Sequence, residues 1–205
     1  GVECFKPFVV QNSNKNYLIE IIWFGRGGQG AVTAAQIAGI AAHISNIKGI
    51  NFAPSFGAER RGAPVEAYLR LSNNPIMIYS NIEIPDYLIL LDDGLFNKIK
   101  PELLNNKKLK LIVNTNNLSS LLNQTVNCEI YTVDANTIAR DINLKVAGNY
   151  IINTLMIGAF IKVSNLFEIS KLEEAFALKL KADKAALNFQ GAKLAFEKTK
   201  KYNGI

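Results

Sequence analysis

The chain alternates between short, nearly continuous apolar runs and longer stretches with helical periodicity. Leu18–Phe24, Gly49–Ala53, Val65–Leu71, Tyr87–Leu91, Leu109–Val113 and Glu129–Val133 have the length of strands. Tyr87–Leu91 is apolar throughout, as a strand buried on both faces of a parallel sheet must be. Val65–Leu71 alternates in polarity, which marks one wetter face. Pro75–Tyr79 reads as its hairpin partner around Ser72-Asn73-Asn74. Helical patterns fall between these runs: Gly30 to Ser45, a lysine-rich segment from Leu95 to Leu104, Ala135 to Ile142, Tyr150 to Val163, Ser170 to Leu180 and Asp183 to Tyr202. Ser170 with Glu173 has the spacing of a capping box. The first helix is rich in alanine, so it can lie close to a sheet, and Val32, Ile37, Ile40 and Ile44 give it an apolar face. Alternating strands and helices predict a doubly wound, mostly parallel α/β sheet with helices on both faces. The polar residues 1–16 read as a flexible entry, 17–163 as the domain, and 164–205 as a C-terminal helical extension packed on it.

The first strand runs into Gly25-Arg26-Gly27-Gly28-Gln29-Gly30, and a small-residue helix runs out of it. Glycines at 25, 27 and 30 fit the phosphate-binding turn of a Rossmann-like fold. Amides at the helix start that follows can hold an anion. Other polar clusters also follow strands: Asp92-Asp93, Asn114-Thr115 and Asp134. In a doubly wound sheet these share the carboxyl-end edge, where ligands sit. Asp92, Asp93, Asn114 and Asp134 are candidate helix caps. The loop Pro54–Pro64, with Glu59-Arg60-Arg61 at its centre, joins the same edge.

Ordinary NAD binding needs an acid after the second strand to hold the ribose. Here that strand ends in Phe52-Ala53-Pro54, and no acid occurs between Glu20 and Glu59. No Gly-Lys-Ser or Gly-Lys-Thr follows the turn, there is no Gly-x-Ser-x-Gly elbow, and no Cys–His pair is evident. A complete catalytic set is therefore missing from this chain. A stand-alone nucleotide-binding or NAD(P)-linked protein remains the alternative reading.

Composition narrows the classes further. An apolar content of 49% over 205 residues supports a real core. The net charge of +6 is concentrated in Lys98–Lys110 and in the tail from Lys171, where acids and lysines mix. Neither region interleaves aromatic residues as a nucleic-acid groove does, so solvated helix faces and no nucleic-acid partner are expected. Cys4 and Cys128 are too few for an iron–sulfur cluster or a four-cysteine zinc site, and Cys128 reads as buried and free. His43 has no second ligand beside it and reads as structural. No apolar run is long enough to span a membrane, and the cytoplasm is the expected compartment.

Two motifs together carry a resemblance. Gly25–Gly30 followed by Ala31-Val32-Thr33-Ala34-Ala35, and Phe56-Gly57-Ala58-Glu59-Arg60-Arg61-Gly62-Ala63-Pro64-Val65, resemble the gamma subunits of the pyruvate (2-oxoacid):ferredoxin oxidoreductases. Leu91-Asp92-Asp93, Val113-Asn114-Thr115, Val133-Asp134-Ala135 and Gly148-Asn149 before Asn153–Ala159 extend the similarity in order from about Tyr17 to Ala159. The resemblance implies a subunit of an enzyme that oxidatively decarboxylates pyruvate with coenzyme A, yielding acetyl-CoA, CO2 and reduced ferredoxin. It implies thiamine diphosphate, Mg2+ and [4Fe–4S] clusters on partner alpha, beta and delta subunits, with no cofactor bound by this chain alone and no activity in isolation. Arg60 and Arg61 become candidate ligands of coenzyme A phosphates, or ion-pair partners of Glu59. The turn Gly25, Arg26, Gly27, Gly28, Gln29, Gly30 becomes a candidate phosphate holder or a turn packed against a partner subunit.

Overall fold

The computed structural model describes residues 16–54, 61–122 and 126–203. The strands are β1 (Leu18–Arg26), β2 (Gly49–Pro54), β3 (Pro64–Ser72), β4 (Tyr87–Leu90), β5 (Lys110–Asn114), β6 (Glu129–Val133), β7 (Lys145–Val146), β8 (Asn149–Tyr150) and β9 (Lys200–Lys201). The helices are α1 (Ala31–Ile44), α2 (Pro101–Leu104), α3 (Ala135–Asp141), α4 (Asn153–Ser164), α5 (Ser170–Lys179) and α6 (Ala182–Lys198). Seven strands form one sheet in the order β2-β3-β1-β4-β5-β6-β9, and β7 and β8 form a small separate hairpin. β1, β4, β5 and β6 are parallel neighbours. β3 runs antiparallel between β1 and β2, and β9 is antiparallel to β6. Five strands thus point one way and two oppose them.

β1 explains the layering. Ile19, Ile21 and Trp23 enter a core shared with α1, α4, α5 and α6, while Ile22 and Phe24 enter a second core on the other face. A strand buried on both sides loses the polar alternation that a half-wet strand keeps. On the first face α1 approaches through Ala34, Ala35, Ala38, Ala41 and Ala42, all fully buried. α4 is buried along nearly its whole length because α6 covers its outer side. Gly158 has no room for a Cβ against the Ala192 carbonyl, so α4 and α6 meet backbone to backbone. Phe160 of α4 packs edge-on against Trp23 and Tyr87, with ring centroids 5.7 and 5.5 Å away. On the second face a 3-10 turn at Asp93–Lys98 and α2 cover β4 and β5 through Leu95, Phe96, Leu103 and Leu104.

Several expected elements differ, each for a physical reason. Pro75–Tyr79 is not a strand: β1 and β2 already occupy both edges of β3, so no edge remains for a hairpin partner. The Leu95–Leu104 helix is broken into the 3-10 turn and α2. Lys100, before Pro101, is extended at φ −60° and ψ 132°, as the proline ring requires of its predecessor. α4 begins at Asn153 rather than Tyr150, because Ala147 and Gly148 turn the chain at positive φ and commit Tyr150 to the β7–β8 hairpin. The capping box does not form: α5 is preceded by Ile169 with no side-chain cap, and Ser170 Oγ turns to Glu168 at 3.2 Å. The final helix ends at Lys198 rather than Tyr202. Lys200–Lys201 adds a short strand to β6, fixed by Lys201 on Glu129 at 2.9 Å and by the Tyr202 amide on the Ile130 carbonyl at 2.8 Å. Hydrogen bonds from Lys201 and then Tyr131 hold the Glu129 carboxyl below its usual range.

Cys128 is free, as expected, but only half-buried. Burial pushes its thiol up to about 11. The reduced, neutral thiol therefore adds stability below its unfolded pKa, and this contribution is lost as pH rises through about 11. In a Cys4→Ser background, a disulfide reagent at pH 8 should label Cys128 on the order of a hundredfold more slowly in the folded chain than in urea. A second prediction concerns the ring cluster. Phe160→Ala should cost about 3–5 kcal/mol in urea unfolding and flatten the near-ultraviolet circular dichroism of Trp23.

Candidate functional site

The glycine turn is built by its own side chains. The Arg26 amide donates to Gln29 Oε1 at 2.7 Å, and the Gln29 amide donates to the Arg26 carbonyl at 2.9 Å. Gly28 and Gly30 sit at φ +93° and +83°, a region that L side chains rarely adopt. At Gly30 there is a second demand. Asn153 Nδ2 donates to its carbonyl at 3.0 Å and would lie 2.5 Å from any Cβ. Gly30 precedes α1, whose start has no side-chain cap and no acid in its first turn. The turn is also zipped to the chain entering β3. The Gly27 amide donates to the Ala63 carbonyl at 2.8 Å, and the Gly62 amide donates to the Gly27 carbonyl at 3.1 Å.

The polar residues at the strand exits serve this edge. Asp92, after β4, accepts Arg26 Nε and Gln29 Nε2, each at 2.9 Å, through one oxygen. Its other oxygen accepts the Gly94 amide at 3.0 Å and caps the 3-10 turn. Asp93 accepts Thr115 Oγ1 at 2.8 Å. Asn114 is buried; its amide donates to the Leu91 carbonyl and accepts the Ala135 amide, both at 2.9 Å, joining the ends of β4 and β5 to the start of α3. Asp134 caps α3 by accepting the Thr137 amide at 2.9 Å. Asp92 and Asp134 are thus caps, as expected; Asn114 takes the first amide of α3 from a distance and also ties it to the Leu91 carbonyl, whereas Asp93 holds the Thr115 hydroxyl rather than a helix amide.

Beside the turn lies a cleft of about 510 Å3. Arg26, Gly27, Gly28 and Gln29 form one wall, and Arg61 and Gly62 the second. Asn136 of α3 and Val146, Asn149, Tyr150, Ile151 and Ile152 close the third. Among the described residues the lining carries two arginines and no acid. Arg26 is neutralised by Asp92. Arg61 is exposed, and among the described residues no carboxylate pairs with it. Lys145 Nζ stands 4.5 Å from the Tyr150 ring centroid, so the hairpin adds a further cation at the rim. Such a cleft can accept a phosphate-bearing ligand: guanidinium offers a planar fork to phosphate oxygens, and no described residue of the walls repels them.

Of the site residues expected from sequence, Gly25 to Gly30 and Arg61 come together on this edge. Glu59 and Arg60, with the expected Glu59 ion pair, lie outside the described residues. Gly25 is not part of the cleft wall; it sits against Leu91, with 3.0 Å left for a Cβ, and serves the packing of β1 on β4. Asn136, Asn149, Tyr150 and the Asn153 strut were not singled out as site residues. The only signal for them was Gly148-Asn149 ahead of the apolar helix. His43, on the last turn of α1, and Lys179 line a separate apolar groove remote from this edge. Among the described residues no three His, Cys, Asp or Glu side chains are grouped to hold a metal ion. No helix among them is long and apolar enough to cross a membrane.

Together these features define a Rossmann-like α/β protein whose first crossover turn faces an arginine-bearing cleft. The sequence pattern of the pyruvate ferredoxin/flavodoxin oxidoreductases matches residues 20–198. The chain is 39% identical over 187 residues to the pyruvate synthase subunit PorC of Methanothermobacter marburgensis, covering 89% of this chain and 98% of that one. It is 37% identical to the pyruvate/ketoisovalerate oxidoreductases common subunit gamma of Thermococcus litoralis, covering 90% and 99%. The crystal structure of pyruvate oxidoreductase subunit PORC from Thermotoga maritima superposes with a TM-score of 0.73 at 27% identity, over 91% of this chain and 99% of that one. A 2-oxoglutarate:ferredoxin oxidoreductase from Magnetococcus marinus shares the fold, with a TM-score of 0.66 at 17% identity; the match covers 92% of this chain and 32% of that longer one. The chain belongs to the pyruvate ferredoxin/flavodoxin oxidoreductase family, as a gamma subunit. The alternative of a stand-alone NAD(P)-linked protein gains nothing from these relatives.

The turn's dependence on glycine is testable. Gly30→Ala combines a positive φ with a clash on Asn153, and should lower stability by about 1–3 kcal/mol in chemical denaturation. Gly30→Ala in an Asn153→Ala background should recover part of that loss, because the clash goes and the strain at φ stays.

Proposed function

We propose that this gamma subunit serves the oxidative decarboxylation of pyruvate with coenzyme A, yielding acetyl-CoA, CO2 and two electrons that reduce ferredoxin. The family membership supports the subunit role. Thiamine diphosphate, Mg2+ and [4Fe–4S] clusters would supply the carbanion and electron-transfer chemistry. This chain's residues do not fit those groups: it has two cysteines, against the four thiolates that a cluster needs. They are assigned to the alpha, beta and delta subunits, in a cytoplasmic complex. The gamma chain's own contribution is to bind and orient. The single observation that carries this is the cleft, where exposed Arg61 faces the glycine turn and the described walls hold no acid. Coenzyme A carries its phosphates away from the reacting thiol, so a cleft that grips phosphates places the thiol without touching the chemistry. Asp92 fixes Arg26 within the wall, leaving Arg61, with Arg60 beside it in sequence, to meet the phosphates.

In the intact complex, Arg61→Ala, alone or with Arg60→Ala, should raise the KM for coenzyme A about tenfold or more, in line with a lost charge-assisted contact. kcat and the KM for pyruvate should change little. An unchanged KM for coenzyme A sinks the phosphate assignment. The isolated chain should be inactive with pyruvate and an artificial electron acceptor, and should restore activity when mixed with its partner subunits.

A further inference from the structure

After β3 the chain returns to β4 at the same end of the sheet as an irregular strap, residues 75–85, which packs on the second face through Ile82. Met77, Ile78, Tyr79 and Ile84 on this strap are 78%, 43%, 74% and 68% exposed. The exposure does not come from a loose segment. At its start the Asn74 carbonyl and Ile76 approach Gly49 so closely that no Cβ would fit. In its middle, Arg70 Nη2 donates to the Ser80 carbonyl at 2.8 Å; that arginine is buried and held by Glu20 at 2.7 Å. Ile82 is sunk in the second core, and at the far end the Asp86 carboxylate accepts the Glu20 amide at 2.8 Å. The strap is thus pinned along its length with its large apolar side chains turned outward.

The geometry points to this ridge as the docking surface for another, non-identical subunit of the oxidoreductase. Large side chains of about 150–250 Å2 each, at these exposures, present on the order of 500 Å2 of apolar surface. That is at the upper end for the patch of a monomer, and patches of that size are often functional. It would form the core of the roughly 800 Å2 that a stable interface takes from each partner. Because the backbone is already fixed, docking orders little, which favours affinity. A recess of about 370 Å3 opens beside the ridge, lined by Tyr68, Ile82, Glu83 and Lys98 among others, and offers a socket with a charged rim. Relatives matched over nearly their full length are named as subunits, so the chain has other chains to bury surface against. Self-pairing suits the ridge poorly, since a two-fold contact centred on it would bring exposed Glu83 against its own copy. The partner face it fits is apolar, with polar groups of both signs at its edge for Glu83, Lys98 and Lys100 of the recess. The ridge is pinned near Glu20, at the opposite end of β1 from the glycine turn. The inference rests on the subunit role and is independent of the coenzyme A assignment.

The test is co-expression of the chain with the remaining subunits of its oxidoreductase, and measurement of complex dissociation on dilution. Met77→Asp with Tyr79→Asp should weaken assembly at least about tenfold, as loss of interface anchors does, while the isolated variant melts at the wild-type temperature. Leu178→Asp, exposed on α5, should assemble like the wild type. Wild-type affinity in the double variant would overturn the ridge alone. So would an isolated wild-type chain that dimerises through the ridge and a variant that does not. Failure of the wild-type chain to assemble at all would overturn the subunit role and the ridge together.

Discussion

The close approach of α4 to the glycine turn is the constraint on which the rest of the carboxyl-end edge depends. Asn153 fills the space where a side chain at position 30 would stand, and its amide is spent on the Gly30 carbonyl. That single contact couples the start of α4 to the start of α1. Through Gly27 it also couples the turn to the chain entering β3. Since α4 is clamped between the sheet and α6, the turn inherits the rigidity of the main core rather than that of a loop. A cleft built on such a turn has one wall whose shape is set before any ligand or partner arrives.

The charges on this edge divide into scaffold and free groups. Asp92 is consumed by Arg26, Gln29 and the Gly94 amide, and Asn114 and Asp134 by backbone amides of α3. These groups would cost free energy if left unpaired at partly buried strand ends, and pairing them locally removes that cost. Among the described residues, what remains available along the cleft is the exposed Arg61 and the side chain of Asn136, while the Asn149 amide turns to the Ala147 carbonyl. Among the described residues, the cleft on this edge thus presents a free guanidinium and no carboxylate.

Much of the fold was legible because burial leaves a local trace. Leu109–Val113 and Tyr87–Leu91 had to be buried on both faces, and they are central strands. The alanine series of α1 had to meet a sheet closely, and it does. The glycine turn was legible because positive φ has few substitutes for glycine. The site was legible only in part. Arg26 read as part of a candidate phosphate holder, yet it is bonded to Asp92, a residue 66 positions away. Asn153 and Tyr150 carry no local mark of their roles, since a polar residue near a helix start is ordinarily a cap. The missed strap has the same origin: Pro75–Tyr79 has every local sign of a strand, and only the prior occupation of both β3 edges denies it one.

By itself, then, the sequence determined which segments are buried, where the backbone must be glycine, and, through two motifs at a fixed spacing, which family the chain resembles. Each of these follows from a property of a residue and its near neighbours: periodicity, conformational freedom, side-chain size. The tertiary structure alone decided that β3 inserts antiparallel beside β1, that Lys200–Lys201 closes the far edge, that Asp92 serves Arg26, and that Met77, Ile78, Tyr79 and Ile84 stay exposed while Ile82 is buried. Those outcomes are competitions among distant segments for strand edges, hydrogen-bond partners and space, and a competition is settled only when all its contestants are folded together.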